Sequence, residues 1–444
     1  MIKVGFVSLG CAKNLVDSEV MLGLLTEAGC AITSDPSEAE VIVVNTCGFI
    51  DPAKEESINT ILEMAAYKAN GNCRRLVVAG CLAERYRDRI TDQLPEIDAV
   101  IGLDELSGIV DACTGKDPES FETSDASGKF LYNHEFKRVL TTPGYSAYLK
   151  IAEGCNHVCS FCVIPSIRGD FRSRKPESVL LEAENLAERG VRELNLVAQD
   201  STLYGHDLGL EDGLSHLLRD LSTVSSIEWI RFLYTYPNSI TDRLLHTVAD
   251  TPRICRYIDV PLQHVSSSVL QGMNRGGSPG SCRDLVRRIR DIIPGVSLRT
   301  TFIVGFPGET ETDFRELLDF VEEAQFDHLG VFSYSDEDGS GAKSLEDKIP
   351  DQLKDERKDR LMELQSRLSL KKNLEKVGQT YRLLVEGVSD ETDMLWTGRT
   401  EGQAPDIDGK VYINDGLDDR VRPGDFRKVK ISEAFEYDLV GGLE

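Results

Sequence analysis

At 444 residues the chain has room for about three domains, and an apolar share of 41% is enough for buried cores, which excludes a disordered protein. No run of about 18 apolar residues occurs, so no membrane span is expected, and eleven cysteines spread through the chain do not form a secreted disulfide framework. The net charge of −25 opposes the electrostatic attraction that dominates nucleic-acid binding and suits a basic protein partner.

The opening Met1-Ile2-Lys3-Val4-Gly5-Phe6-Val7 reads as a strand, not as a basic, apolar signal peptide, so a cytoplasmic protein with reduced thiols is expected. Residues 1–113 alternate strand and helix patterns, which predicts an α/β domain with a largely parallel sheet. Strands are expected at 3–9, 41–44 and 76–79. Each runs into a cysteine: Cys11, Cys47 after Asn45-Thr46, and Cys81 after Gly80. Ligands bind beyond the carboxyl ends of such strands, so the three thiols are expected to converge on one crevice. The alternative is small-residue packing behind the strands. Cys30 closes a helix, and Cys73 and Cys113 have polar neighbours; all three are read as structural.

Residues 114–140 are polar and are assigned to a linker. From 141 to 375 strands and helices alternate again, with strands at 148–151, 193–197, 229–235, 257–260, 298–304 and 328–333. Repeated units of this kind predict a partial (β/α) TIM-like barrel, with its chemistry at the carboxyl ends of the strands. The informative residues lie there. Gly154-Cys155-Asn156-His157-Val158-Cys159-Ser160-Phe161-Cys162 follows the first strand. Three thiols in one short loop suit an iron–sulfur cluster with one iron left open, or zinc with His157 as fourth ligand, or core packing. Gln199-Asp200 follows the second strand and Gln263-His264 the fourth, His264 being read as structural. Gly305-Phe306-Pro307-Gly308 follows the fifth, where glycine permits close approach to a ligand. Cys255 and Cys282 are taken as packing residues.

A charged helix over 351–376, with Leu361, Leu364 and Leu368 as a thin apolar stripe, reads as a connector. Short strands at 381–385, 395–397, 410–413 and 427–431, separated by Gly, Asp and Pro turns, predict a small β-barrel over 376–444, a module that binds nucleic acid or protein.

This order of parts resembles the methylthiotransferases of the radical S-adenosylmethionine (radical SAM) class over essentially the whole chain, the last part being TRAM-like and OB-like. Ser8-Leu9-Gly10-Cys11-Ala12-Lys13-Asn14, Ile164-Pro165-Ser166-Ile167-Arg168-Gly169, Val260-Pro261-Leu262-Gln263-His264 and Ile431-Ser432-Glu433-Ala434 resemble the branch that modifies a ribosomal protein. The tRNA-modifying branch usually reads Gly-Cys-Gln-Met-Asn where this chain has Gly10 to Asn14. The resemblance implies two [4Fe-4S] clusters, one on Cys11, Cys47 and Cys81 and one on Cys155, Cys159 and Cys162. SAM is implied as co-substrate, with Gln199, Gly305 and Gly308 as contacts. The class pattern of consecutive glycines and a glutamate after the second strand is absent, and Gln199-Asp200 stands in its place. The loop Tyr334-Ser335-Asp336-Glu337-Asp338-Gly339 matches the family only loosely and receives no role. The implied activity is transfer of a methylthio group to the β-carbon of an aspartate in the twelfth small-subunit ribosomal protein, uS12. An electron donor of unknown identity is implied, with RNA and membrane not expected as partners. The rival functions are the same chemistry on tRNA adenosine and a non-catalytic iron–sulfur carrier or electron-transfer protein.

Overall fold

The computed structural model describes residues 1–115 and 130–444; the polar run at 116–128, assigned above to the linker, lies outside the described residues. In the first domain the strands are β1 (Lys3–Ser8), β2 (Ala31–Thr33), β3 (Val41–Thr46), β4 (Arg75–Gly80) and β5 (Ala99–Ile101). They pair in parallel in the order β2-β1-β3-β4-β5. All six residues of β3 are buried, as expected where helices cover both faces of a parallel sheet. β2 and β5 were not anticipated, because three residues at a sheet edge carry too little alternation to register. Cys73 and Cys113 are 4% and 2% exposed, so polar neighbours in sequence do not place them in polar surroundings in space.

The described end of the segment read as linker is a strap anchored by the buried Phe130, Tyr132 and Arg138. Arg138 donates to Glu19 at 2.5 Å on helix Ala12–Glu27 and to Glu182 at 2.5 Å on helix Pro176–Glu188, tying the two domains together.

The second domain has β6 (Ser146–Lys150), a short hairpin of β7 (Ala152–Glu153) and β8 (Arg172–Ser173), then β9 (Glu193–Val197), β10 (Trp229–Phe232), β11 (Tyr257–Asp259), β12 (Ser297–Val304) and β13 (His328–Ser333). β6, β9 and β10 form one parallel arc and β11, β12 and β13 another. A bridge between Ile230 and Ile254 and the bond from Cys255 N to Ile230 O at 2.9 Å join them into a partial barrel. Helix Asp351–Leu374 is more than a connector. Its Leu361, Leu364 and Leu368 belong to the same core as Val331, Phe314 and Phe326, so the helix is packed against the barrel beside β13.

The third domain is a closed barrel of β14 (Thr380–Val388), β15 (Trp396–Thr400), β16 (Val411–Asp415), β17 (Phe426–Ala434) and β18 (Leu439–Leu443), in the order β14-β15-β16-β18-β17. It packs under the starts of the central strands. Arg399 grips Glu193, the first residue of β9, with two bonds of 3.0 and 2.7 Å. Trp229 at the start of β10 meets Phe426 edge-on at 4.8 Å, Tyr257 at the start of β11 donates to Asp408 at 2.7 Å, and His328 at the start of β13 bonds Gly402 O at 2.7 Å. Among the described residues no helix is long and apolar enough to cross a membrane.

Candidate active site

Both thiol sets open into one chamber of about 440 Å³. Its lining includes all six of Cys11, Cys47, Cys81, Cys155, Cys159 and Cys162, together with Gln199 and Gln263 from the carboxyl ends of the barrel strands. The sheet-end thiols are brought together by short-range chemistry. Gly10 has φ +88°, and a Cβ there would lie 2.8 Å from the Cβ of Cys47, so only glycine lets the two cysteine loops meet this closely. Asn14 donates to Leu9 O at 2.7 Å, and Asn45 donates to Asn14 O at 2.9 Å, knitting the Cys11 and Cys47 loops together. Cys81 is the first residue of helix Cys81–Gln93.

The second set sits on a loop pinned at several points. Gly154 has φ +82° and a Cβ there would meet Asp170 O at 2.1 Å. Cys155 N donates to Gly169 O at 3.1 Å, and Ser160 donates to Gly272 O at 2.7 Å. His157 is engaged away from these thiols: its Nε2 is 2.6 Å from Asp200 Oδ2, and its ring stacks on Tyr236 at 3.8 Å. That removes support for the zinc site with His157 as fourth ligand. Among the described residues no three His, Cys, Asp or Glu side chains close on a single-ion site. The thiols instead ring a chamber, a donor set that fits multi-iron clusters better than one ion.

Burial raises the thiol pKa values, to about 12 for Cys81, about 12 for Cys162 and about 11 for Cys155. Cys47 is also raised by burial. Cys11 moves the other way: burial pushes it up, but the charges of Lys13 and Arg168 and the amide of Asn14 outweigh that. Thiols of this kind deprotonate on taking up metal.

A buried ion network runs between the sets. Arg168 donates to Glu153 at 2.9 and 3.0 Å, to Asp17 at 3.2 Å and to the sulfur of Cys81 at 3.3 Å. Lys150 bonds Glu153 at 2.6 Å and also Asp17. Gln199 donates to Glu153 at 2.7 Å, which leaves its Oε1 buried in the chamber wall with no partner. Gly305 and Gly308 are not chamber-lining residues; Ile303, two residues earlier, is. The loop given no role above does line it. Glu337 accepts from Lys54 and from Arg85, both at 2.8 Å, and so closes the barrel against the first domain. His264 is fully buried, accepts from Ser266 N at 3.0 Å, and burial lowers its pKa to about 4, in line with a structural role.

Lys13, Arg168 and Arg275 are chamber cations that sequence reasoning passed over, although Lys13 and Arg168 lie inside quoted motifs. Arg168 reaches Asp17 across 151 positions, and such a pair leaves no local pattern. The nearest signal was a lysine two residues past a candidate ligand.

Family models match three stretches: residues 3–102 match Uncharacterized protein family UPF0004, 149–321 the Radical SAM superfamily and 377–443 the TRAM domain. The chain is 49% identical to "Ribosomal protein uS12 methylthiotransferase RimO" of Koribacter versatilis (strain Ellin345), over 99% of this chain and 96% of that one. It is 53% identical to the protein of the same name from Solibacter usitatus (strain Ellin6076), over 99% and 94%. Among solved structures, the radical S-adenosylmethionine methyltransferase TsrM from Kitasatospora setae shares its fold with TM-score 0.56 at 15% identity, covering 75% of this chain and 72% of that chain. OxsB with aqua-cobalamin bound gives TM-score 0.51 at 14% identity, covering 82% and 56%.

Proposed function

The chain belongs to the RimO family of radical SAM methylthiotransferases, and from that premise we propose that it adds a methylthio group to the β-carbon of an aspartate in ribosomal protein uS12, in the cytoplasm. The observation that carries this reading is the single chamber into which both thiol sets open. Cys155, Cys159 and Cys162 would hold the cluster that meets SAM, and Cys11, Cys47 and Cys81 the second one. With the clusters bound, SAM supplies a radical able to break an unactivated carbon–hydrogen bond, which no side-chain base can do, and the second cluster supplies a sulfur carrier.

The chain's own residues bind and orient. Gln199, fixed by Glu153, offers its unpartnered Oε1 to the methionyl ammonium of SAM. The Glu337 ion pairs and the Arg168 network fix two walls of the chamber.

The C-terminal barrel favours a basic protein over RNA. Nine Lys and Arg stand against fifteen Asp and Glu between 376 and 444, whereas an RNA grip needs free cations. Arg420 and Arg427 pair with Asp418 and Asp425, and Arg399 is buried on Glu193. The test is mass spectrometry of products from the cluster-loaded chain with SAM, a strong reductant and either uS12 or tRNA. A methylthio group on a uS12 aspartate is expected. Modification of tRNA alone would move the chain to the adenosine branch, and no 5′-deoxyadenosine from any mixture would leave an electron carrier.

A further inference from the structure

Three cations line the chamber, and two are occupied. Arg168 is held by Asp17 and Glu153. Arg275 donates to Pro261 O at 3.0 Å, faces the sulfur of Cys159 at 3.6 Å and lies over the ring of Tyr236. Lys13 differs. It is 9% exposed, and its ammonium sits 3.3 Å from the centre of the Tyr234 ring. The groups acting on its charge are Tyr234, which also hydrogen-bonds it through its side chain, Cys11 and Arg168, with no carboxylate among them. It forms no ion pair among the described residues.

An ammonium carries three donors and is costly to bury without an anion. A ring face offsets only part of that cost. The ring is itself held in place. Tyr234 has φ +62°, a left-handed conformation that a bulky residue adopts only when its surroundings impose it. Its amide donates to Asp259 Oδ2 at 2.9 Å. The two carboxylates lining the chamber are taken, Asp200 by His157 and Glu337 by Lys54 and Arg85. The one anion of the chain beside Lys13 is the Cys11 thiolate, which serves as a cluster ligand, so no carboxylate of the described residues is left to take the ammonium's donors.

We propose that Lys13 is a carboxylate-binding subsite of the chamber, which takes the side-chain carboxylate of the target aspartate in the polypeptide substrate. The inference rests on the methylthiotransferase reading above. The carboxyl carbon is bonded directly to the β-carbon, so anchoring the carboxylate fixes the reacting carbon to within one bond rotation. The methionyl carboxylate of SAM is another source of the same chemistry. Lys13 adjoins Cys11 of the sheet-end set, whereas Arg275 stands beside Cys159 of the barrel set, and this favours the substrate.

The test compares peptides carrying the target aspartate, or asparagine in its place, for binding to the cluster-loaded chain by fluorescence anisotropy. SAM affinity and iron content are measured in parallel. The wild type should bind the aspartate peptide about tenfold or more tighter, as one charge-assisted hydrogen bond allows. Lys13→Met should lose that preference and Lys13→Arg should keep most of it. A structural role for Lys13 would weaken both peptides alike and overturns the proposal, as does equal affinity of the wild type for both. Weakened SAM binding with the peptide preference intact assigns the lysine to SAM and also overturns it. If Lys13→Met fails to hold both clusters, the wild type and Lys13→Arg decide. A wild type that prefers the aspartate peptide but never methylthiolates it counts against the proposed function and not against the subsite.

Discussion

Replacing Arg168 by Met should be among the most damaging single changes outside the thiols, and the buried network sets the size of the effect. Asp17, Lys150, Glu153 and Arg168 are each between 2% and 6% exposed. Two carboxylates face two cations, so the cluster is neutral. Removing the guanidinium leaves Lys150 alone between two carboxylates, one uncompensated buried negative charge. Breaking a buried pair in this way costs about 3–5 kcal/mol. Adding Asp17→Asn restores neutrality with the Lys150–Glu153 pair intact, so the double variant should be more stable than the single one. The assay is urea unfolding of the metal-free chain, read at the transition that includes the first domain, because a three-domain protein need not unfold in one step. A single-variant cost below about 1 kcal/mol, the level of a surface pair, would refute the reasoning. So would additive losses in the double variant, since coupled neighbours should not add.

Two further outcomes follow from the same structure. The Cys155/Cys159/Cys162→Ala chain should keep about half the wild-type iron, as should the Cys11/Cys47/Cys81→Ala chain, which should also release 5′-deoxyadenosine yet transfer no methylthio group; stoichiometric zinc without visible absorbance would contradict this. Burial raises the pKa of Glu193, but Arg399 and Arg231 pull it down to about 2, below its ordinary 4.5. Ionised Glu193 therefore stabilises the docking of the C-terminal barrel above about pH 4.5 and loses that effect as pH falls toward 2. With Trp396→Phe leaving Trp229 as the only tryptophan, emission from its contact with Phe426 should shift to the red across that window, and Glu193→Gln should flatten the shift.

The thiol sets were legible in the sequence because parallel strands announce their carboxyl ends, and a residue type placed just past three such ends is a spatial statement. The barrel strands were legible for the same reason, several to within a residue or two. What escaped was of another kind. Asp17 meets Lys150 and Arg168 across more than 130 positions, and no period of 2 or 3.6 encodes that meeting. β18 holds Gly441 and Gly442 and makes no hydrophobic pattern. The loop at Glu337 looked irregular, as loops that close a site between domains do. Helix Ala12–Glu27 buries Asn14, Asp17, Ser18 and Glu19. An ordinary hydropathy reading turns such residues to water; Lys150 and Arg168 hold Asp17 inside, Arg138 holds Glu19, and hydrogen bonds within the first domain hold Asn14 and Ser18.

The attachment of the C-terminal barrel to the starts of the central strands makes the molecule a ruler. The rise along β12 from Ser297 at that floor to Ile303 in the chamber lining, at about 3.3 Å per residue, separates the two by roughly 20 Å. Were a ribosomal protein gripped on the lower module, it could present its aspartate there only if an extended stretch of at least about six residues ran up the flank between grip and target. Selection would then act on spacing as well as on the residue modified. An aspartate too near the gripped segment would fall short of the chamber however well its neighbours bind, and shortening the intervening stretch would abolish modification while leaving attachment intact.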